Sequence, residues 1–154
     1  MYSKEFMELA TKQALRNVQT KEGGPFGTVI VKDGKIIAQG RNHVLADNDP
    51  TAHGEIYTIR KACHKLNTFD LSGCELYTNA EPCPMCLSAI IWSNIKTVYY
   101  GNTAKDAGKI GFRDDAIYKW LDKPNKNMLN LVQRDRGMTI NSFRKYADSE
   151  HTLY

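Results

Sequence analysis

Two short segments, whose His53 and Cys83 stand thirty positions apart, have to come together if they are to serve one metal. His53-Gly54-Glu55 is followed at a distance by Glu81-Pro82-Cys83-Pro84-Met85-Cys86. Together they offer one imidazole and two thiolates, three protein ligands for zinc. Structural zinc usually takes four protein ligands, whereas a catalytic site keeps its fourth position open for water. Glu55 stands next to the ligand histidine, as a carboxylate able to move protons.

With 154 residues the chain has room for about one domain with a proper core. Its 42% apolar and 25% charged content is ordinary for a globular protein. No apolar run approaches the roughly 20 residues that span a bilayer, so no membrane partner is expected. Met1–Ala10 carries Lys4, Glu5 and Glu8 and lacks the apolar stretch of a signal peptide, which makes the cytoplasm the expected location. In that compartment thiols stay reduced, and Cys83-x-x-Cys86 reads as a metal or redox pair. Cys63 and Cys74 read as small buried hydrophobes. The net charge of +4 is too weak to argue for a nucleic-acid partner.

Phe6, Met7, Ala10, Ala14 and Val18 recur at helical spacing and predict a first helix over Lys4–Gln19, stopped by Gly23-Gly24-Pro25. Phe26–Lys32 and Lys35–Gly40 flank Asp33-Gly34 and predict a β-hairpin. Arg41–Pro50 reads as a polar loop. Helices are expected over His53–Leu66 and Cys83–Ser93, and strands over Cys74–Thr78 and Lys96–Tyr100. Prolines suit the start of the second of these helices, where N–H groups lack intrahelical partners. Beyond Tyr100 the pattern weakens, with a short helix over Asp114–Leu121, a fifth strand over Met128–Gln133 and a last helix over Ile140–Asp148. The alternation of strands and helices predicts an α/β class with helices on both faces of one sheet.

Both metal-bearing segments open a helix. The free N–H groups of a helix start favour thiolate over thiol at Cys83 and Cys86. A nitrogen and two sulfurs favour zinc over magnesium or calcium. Zinc brings the pKa of bound water toward about 7. Two residues past His53, Glu55 falls about 200° round an ideal helix, facing away from the ligand. The helix boundary at His53 relaxes that constraint without deciding where Glu55 points. A closed structural site would need a fourth ligand. His64 lies about 16 Å further along the helix and Cys63 is similarly distant. Cys74 stays open as a candidate.

The pattern H-x-E followed by P-C-x-x-C marks zinc-dependent base deaminases, and the chain resembles the cytidine-deaminase superfamily. That core resemblance covers about residues 24–101. Within the superfamily it looks most like bacterial guanine deaminases, on Gly23-Gly24-Pro25-Phe26-Gly27, Asp49-Pro50-Thr51-Ala52-His53, Ile91-Trp92-Ser93, Gly111-Phe112-Arg113-Asp114-Asp115, Ile117-Tyr118-Lys119, Asp122-Lys123-Pro124 and the closing Tyr154. The resemblance implies a three-layer α/β/α sandwich around a five-stranded mixed sheet, in one domain over 1–154. It implies hydrolytic deamination of guanine to xanthine and ammonia, with one Zn2+ per subunit. His53, Cys83 and Cys86 would hold the metal, and Glu55 would take the water proton and pass it to a ring nitrogen. Asp114 would help the amino group leave. Asn42 and the Gly54 backbone N–H would meet the purine, Phe26 and Trp92 would pack against its ring, and Tyr154 would close the pocket. The segment from about 134 to 154 would be exchanged in a homodimer.

Each assignment has a plainer alternative. Asn42 could make an Asx turn, Phe26 and Trp92 could be core aromatics, Asp114 could cap the following helix, and Tyr154 could be a disordered end. His43, His64 and His151 read as solvated or structural. The chain also departs from the family pattern. Gly54 stands where alanine is usual, Asn79-Ala80 precedes Glu81 where a relative has Ser-Cys, and Arg113 replaces an acidic residue. Asn79 is a candidate substrate contact. Rival functions are deamination of the wobble adenosine in tRNA, deamination of a purine nucleoside, and a zinc-stabilised binding module without turnover. Arg134, Arg136, Arg144 and Lys145 are interleaved with acids and form no basic stripe, so nucleic acid is not the expected partner.

Overall fold

Asp33 and Gly34 both adopt positive φ, 50° and 71°, as a tight two-residue hairpin requires. They join β1 (Gly27–Lys32) to β2 (Lys35–Arg41) in an antiparallel pair, with an irregularity between Ile30 and Val31. The computed structural model describes all 154 residues. On its other edge β1 pairs antiparallel with β3 (Cys74–Ala80), which pairs in parallel with β4 (Thr97–Asn102). The sheet is therefore mixed and four-stranded, in the order β2-β1-β3-β4. The expected fifth strand over Met128–Gln133 does not form, and the segment is irregular. Met128, Leu129, Leu131 and Val132 are all exposed there, and the Asn125, Asn127 and Asn130 around them disfavour extended pairing.

Alternation along the two central strands sorts side chains to two cores. Val29, Val31 and Tyr77 meet Ala10 of α1 (Lys4–Thr20), with Phe6 and Met7 packed around them. Ile30 and Leu76 face the opposite way, onto Ala62 of α3 (Gly54–Leu66) and Ile90 of α4 (Pro84–Trp92). Each fully buried Ile or Leu here contributes roughly 1.5–3 kcal/mol. Helices thus cover both sheet faces, as the alternation predicts. Gly27 lets α1 approach β1, since a Cβ there would lie 2.1 Å from the Ala10 carbonyl oxygen.

Two short helices lie where none is expected from sequence. The polar loop after β2 contains α2 (Val44–Asp47), and α5 (Ala104–Lys109) follows β4. The latter opens on a capping box, in which Thr103 Oγ1 accepts from the Asp106 N–H and the Asp106 carboxylate accepts from the Thr103 N–H. α6 (Asp114–Asp122) and α7 (Arg136–Ala147) complete the chain, and α7 begins four residues before its expected start at Ile140.

The chain divides into two compact units, Met1–Tyr118 and Lys119–Tyr154. The first contains the sheet and both cores. In the second, the Trp120 indole N–H donates to the Asn125 carbonyl at 2.8 Å, and α7 has no buried residue.

Candidate metal centre and active site

His53 and Cys83 occupy equivalent places. Each is the N-cap of its helix, α3 or α4, in extended conformation with φ −66° and ψ 158° or φ −64° and ψ 165°. Pro84 follows Cys83 at the first helical position, where its missing N–H costs nothing. Cys86 arrives two positions later and donates its N–H to Cys83 Sγ at 3.5 Å. His53 Nδ1 lies 3.4 Å from the same sulfur. The donor atoms of His53, Cys83 and Cys86 all fall within 4.8 Å of one another.

Electrostatics at the cluster suit a metal. Hydrogen bonds from Cys86 and His53 pull the Cys83 thiol down to about 4 against the opposing effect of burial, which favours its thiolate form. Cys86 is pushed the other way, chiefly by sharing its proton with Cys83 and then by burial. His53 is raised, mainly through its bond to Cys83. One imidazole and two sulfurs in such a cage form the donor set of a zinc site with an open position. No fourth ligand completes it. Cys74 packs in the core with Ile30 and Leu76, so the closed structural site left open by sequence is excluded.

Glu55 faces this cluster rather than the solvent. Because His53 is extended rather than helical, the idealised helical offset does not apply between the two residues. Glu55 is 6% exposed, and its carboxyl sits beside the Cys83 and Cys86 sulfurs. Burial, reinforced by the Cys83 charge, raises it to about 7. Gly54, buried between them, has little room for a larger residue. A Cβ would lie 3.2 Å from Thr28 Oγ1 and 3.3 Å from the Phe26 carbonyl oxygen.

The cluster opens on a cavity of about 400 Å³ whose walls include His53, Glu55, Cys83, Phe26, Asn42 and Asp114. The Asp114 carboxyl is raised, first by burial and then by the Cys83 charge. Neighbouring Asp115 is not among the lining residues. Asn42 is buried, and its Oδ1 accepts from the Val44 N–H at 3.0 Å. The Asx turn is therefore real, and it leaves the Asn42 NH2 as the group a ligand could meet. Phe26 packs edge-on against Phe112, with centroids 4.8 Å apart.

Phe112 and Glu81 also line the cavity, and sequence reasoning does not single them out, although both lie inside the motifs quoted above. Glu81 Oε2 caps α5 by accepting from the Ala104 N–H at 2.7 Å. Tyr118 donates to the Pro82 carbonyl at 2.6 Å, and burial pushes its phenol up to about 12, which keeps it a donor.

Two sequence candidates, Trp92 and Asn79, stand elsewhere in the first unit, and Tyr154 lies in the second. Trp92, the last residue of α4, is 63% exposed and outside the residues lining the cavity. Tyr154 belongs to the second unit and is 77% exposed. Asn79 turns its side chain to the backbone, accepting from the Gly27 N–H at 2.8 Å and donating to the Pro25 carbonyl at 2.9 Å. It shapes the Phe26 loop and lines a second hollow, of about 410 Å³, on the other side of Phe26. That hollow has no metal-ligating cluster, and its one acid, Asp106, is engaged in the α5 cap.

Residues 2–102 match the family described as the cytidine and deoxycytidylate deaminase zinc-binding region. A guanine deaminase of Bacillus subtilis (strain 168) is 52% identical over 124 residues, 80% of each chain. A tRNA-specific adenosine deaminase of Aquifex aeolicus (strain VF5) is 39% identical over 122 residues, covering 79% of this chain and 78% of that one. Among solved structures, a guanine deaminase from Bacillus subtilis superposes with a TM-score of 0.92 at 42% identity, covering 100% of this chain and 99% of the other. A guanine deaminase from Nitrosomonas europaea gives 0.68 at 34% identity over 73% of this chain and 65% of its own. No helix is long and apolar enough to cross a membrane. With its three zinc donors converged and two thirds of its length within the family's match, the chain belongs to the cytidine and deoxycytidylate deaminase zinc-binding family.

Proposed function

We propose that this protein hydrolyses guanine to xanthine and ammonia. The observation that carries the reading is the open three-donor metal centre facing Glu55 and Asp114 across one cavity. Whole-chain likeness to a guanine deaminase, reaching past the family's shared core, supports guanine over other amino-bearing bases.

The donors His53, Cys83 and Cys86 hold zinc, one per subunit, and bound zinc supplies the Lewis acidity that makes water nucleophilic near neutral pH. Glu55 takes the proton released by water as its oxygen bonds to C2 of guanine, and delivers it to a ring nitrogen. Asp114 carries the remaining proton, that of the new C2 hydroxyl, to the C2 amino group, which leaves as ammonia when the C–N bond breaks and the C2 carbonyl forms. Guanine and water thus account for every atom of xanthine and ammonia. The buried Glu55 and the half-buried Asp114, both with raised pKa values, suit this work, since a shuttle must both accept and release a proton near working pH. Asn42 and the Gly54 N–H orient the purine edge, and Phe26 packs on its face.

Further features belong to the same reading. The chain acts in the cytoplasm as a homodimer, and the segment from about 134 to 154 is exchanged so that Tyr154 closes the pocket of the partner subunit. Supporting this, α7 buries none of its residues, and Met138, Phe143 and Leu153 are each at least 69% exposed.

Ammonia release from guanine, guanosine, cytosine, cytidine, adenine and an anticodon stem-loop RNA tests the substrate. Turnover of guanine alone, or far ahead of the rest, is expected. A zinc-loaded enzyme idle on guanine but active on another member of the panel refutes the assignment, and activity on the RNA would move the protein to the tRNA deaminases.

A further inference from the structure

We propose that Tyr118 is a positioning residue, whose hydroxyl fixes the helix bearing Asp114 against the loop that carries the first zinc cysteine. The inference rests on the reading of Asp114 as the group that helps ammonia leave. Tyr118 lies four residues after Asp114 on α6, one turn along the same face. Its hydroxyl donates to the Pro82 carbonyl at 2.6 Å, and Pro82 directly precedes Cys83. One hydrogen bond therefore joins the helix of the acid to the loop of the metal.

The two ends of that bond are not equally secure. The loop has its own anchors, because the Glu81 N–H donates to the Asn102 carbonyl at 2.7 Å and Glu81 Oε2 accepts from the Ala104 N–H at 2.7 Å. Cys83 is further fixed as the N-cap of α4. α6 instead comes after Gly111, whose φ of 99° makes a glycine joint, and Phe112, whose ring packs edge-on against Phe26 rather than on the metal loop. Loss of the Tyr118 hydroxyl thus leaves the metal loop in place and frees the start of α6, where Asp114 sits. Its effect reaches catalysis through Asp114 and not through the metal.

The test uses the zinc-loaded full chain with Tyr118→Phe, alone and combined with Asp114→Asn. The single variant should keep its zinc and hold KM for guanine within about twofold, while kcat falls about tenfold, the size of loss that small misplacements of a reacting group produce. In the Asp114→Asn background the same substitution should change kcat by less than about twofold. Amide hydrogen exchange over 114–118 should be faster in Tyr118→Phe than in the parent. Unchanged kcat, an equal fold-loss in both backgrounds, lost zinc or unchanged exchange would each overturn the proposal. If the parent itself releases no ammonia from guanine, the proposed function fails separately. The exchange measurement then still decides whether Tyr118 holds α6, faster exchange supporting it and unchanged exchange refuting it.

Discussion

The Glu55 carboxyl lies beside the Cys86 sulfur. A buried carboxyl and a metal-donor sulfur thus adjoin, although they come from the starts of two different helices. The contact exists because α3 begins at Gly54 rather than at His53, and the extended histidine turns Glu55 back toward the metal cluster.

Glu55→Gln should bind zinc at the parent's stoichiometry and lose about 10²–10⁴ in kcat, the usual contribution of a positioned acid–base group. Metal analysis beside steady-state kinetics checks this. Full turnover in the variant would remove Glu55 from the mechanism.

The same residue has a pH signature in metal-free protein. Its folded pKa of about 7 lies above the reference value of 4.5, so the native state holds the proton more tightly than the unfolded chain. Its contribution is fully present below about pH 4.5 and is lost as pH rises through 7. After chelation, Glu55→Gln should be more stable than the parent at pH 8, by roughly 3 kcal/mol at most, and equal to it near pH 4.5. Urea unfolding at the two pH values measures the difference.

Zinc removal should abolish activity while leaving the secondary structure intact. Neither hydrophobic core includes His53, Cys83 or Cys86. Circular dichroism after dialysis against a chelator should match the zinc-loaded spectrum, and restored zinc should restore turnover. Collapse of the spectrum would point to a metal that holds the fold.

Asn79→Ala should act through the Phe26 loop. It strips partners from the Gly27 N–H and the Pro25 carbonyl, at a cost of about 1–3 kcal/mol. With the Phe26 wall loosened, KM for guanine should rise more than kcat falls. Thermal melts and kinetics together test this, and a variant altered in kcat alone would restore Asn79 as a direct participant in the chemistry.

Removal of residues 134–154 should lower kcat for guanine by at least about tenfold, because a pocket that excludes water strengthens every electrostatic contact within it. Sedimentation should show the parent as a dimer. A truncated enzyme with full activity would dismiss the closing role of Tyr154.

Local chemistry is the legible part of this chain. Ligand types, flanking prolines and helix starts identify His53, Cys83 and Cys86, and Asp33-Gly34 marks a hairpin whose residues do adopt positive φ. Four apolar residues in Met128–Gln133 resemble a strand, but extended structure needs a neighbour to pair with, and these side chains are exposed. α5 is hard to see in the sequence because it is six residues long and contains Gly108, although the Thr103 and Asp106 of its cap are there to be read. Asn79 reads as a substrate contact because its partners, Pro25 and Gly27, lie more than fifty residues away. Trp92 is expected on the purine and stands outside the cavity lining, since a sequence motif places a residue on a helix without saying which side it presents.

Asn17 of α1 donates from one amide nitrogen to both the Gly24 and the Asn42 carbonyls, at 2.9 and 2.8 Å, while the Asn42 N–H donates to the Phe26 carbonyl at 3.0 Å. The wall that would read the base is thus moored to the first helix, whereas the metal donors and Glu55 sit at the starts of the third and fourth. Inheritance can therefore retune what such a molecule accepts by drift in its opening twenty-odd positions, with the bond-breaking apparatus left untouched.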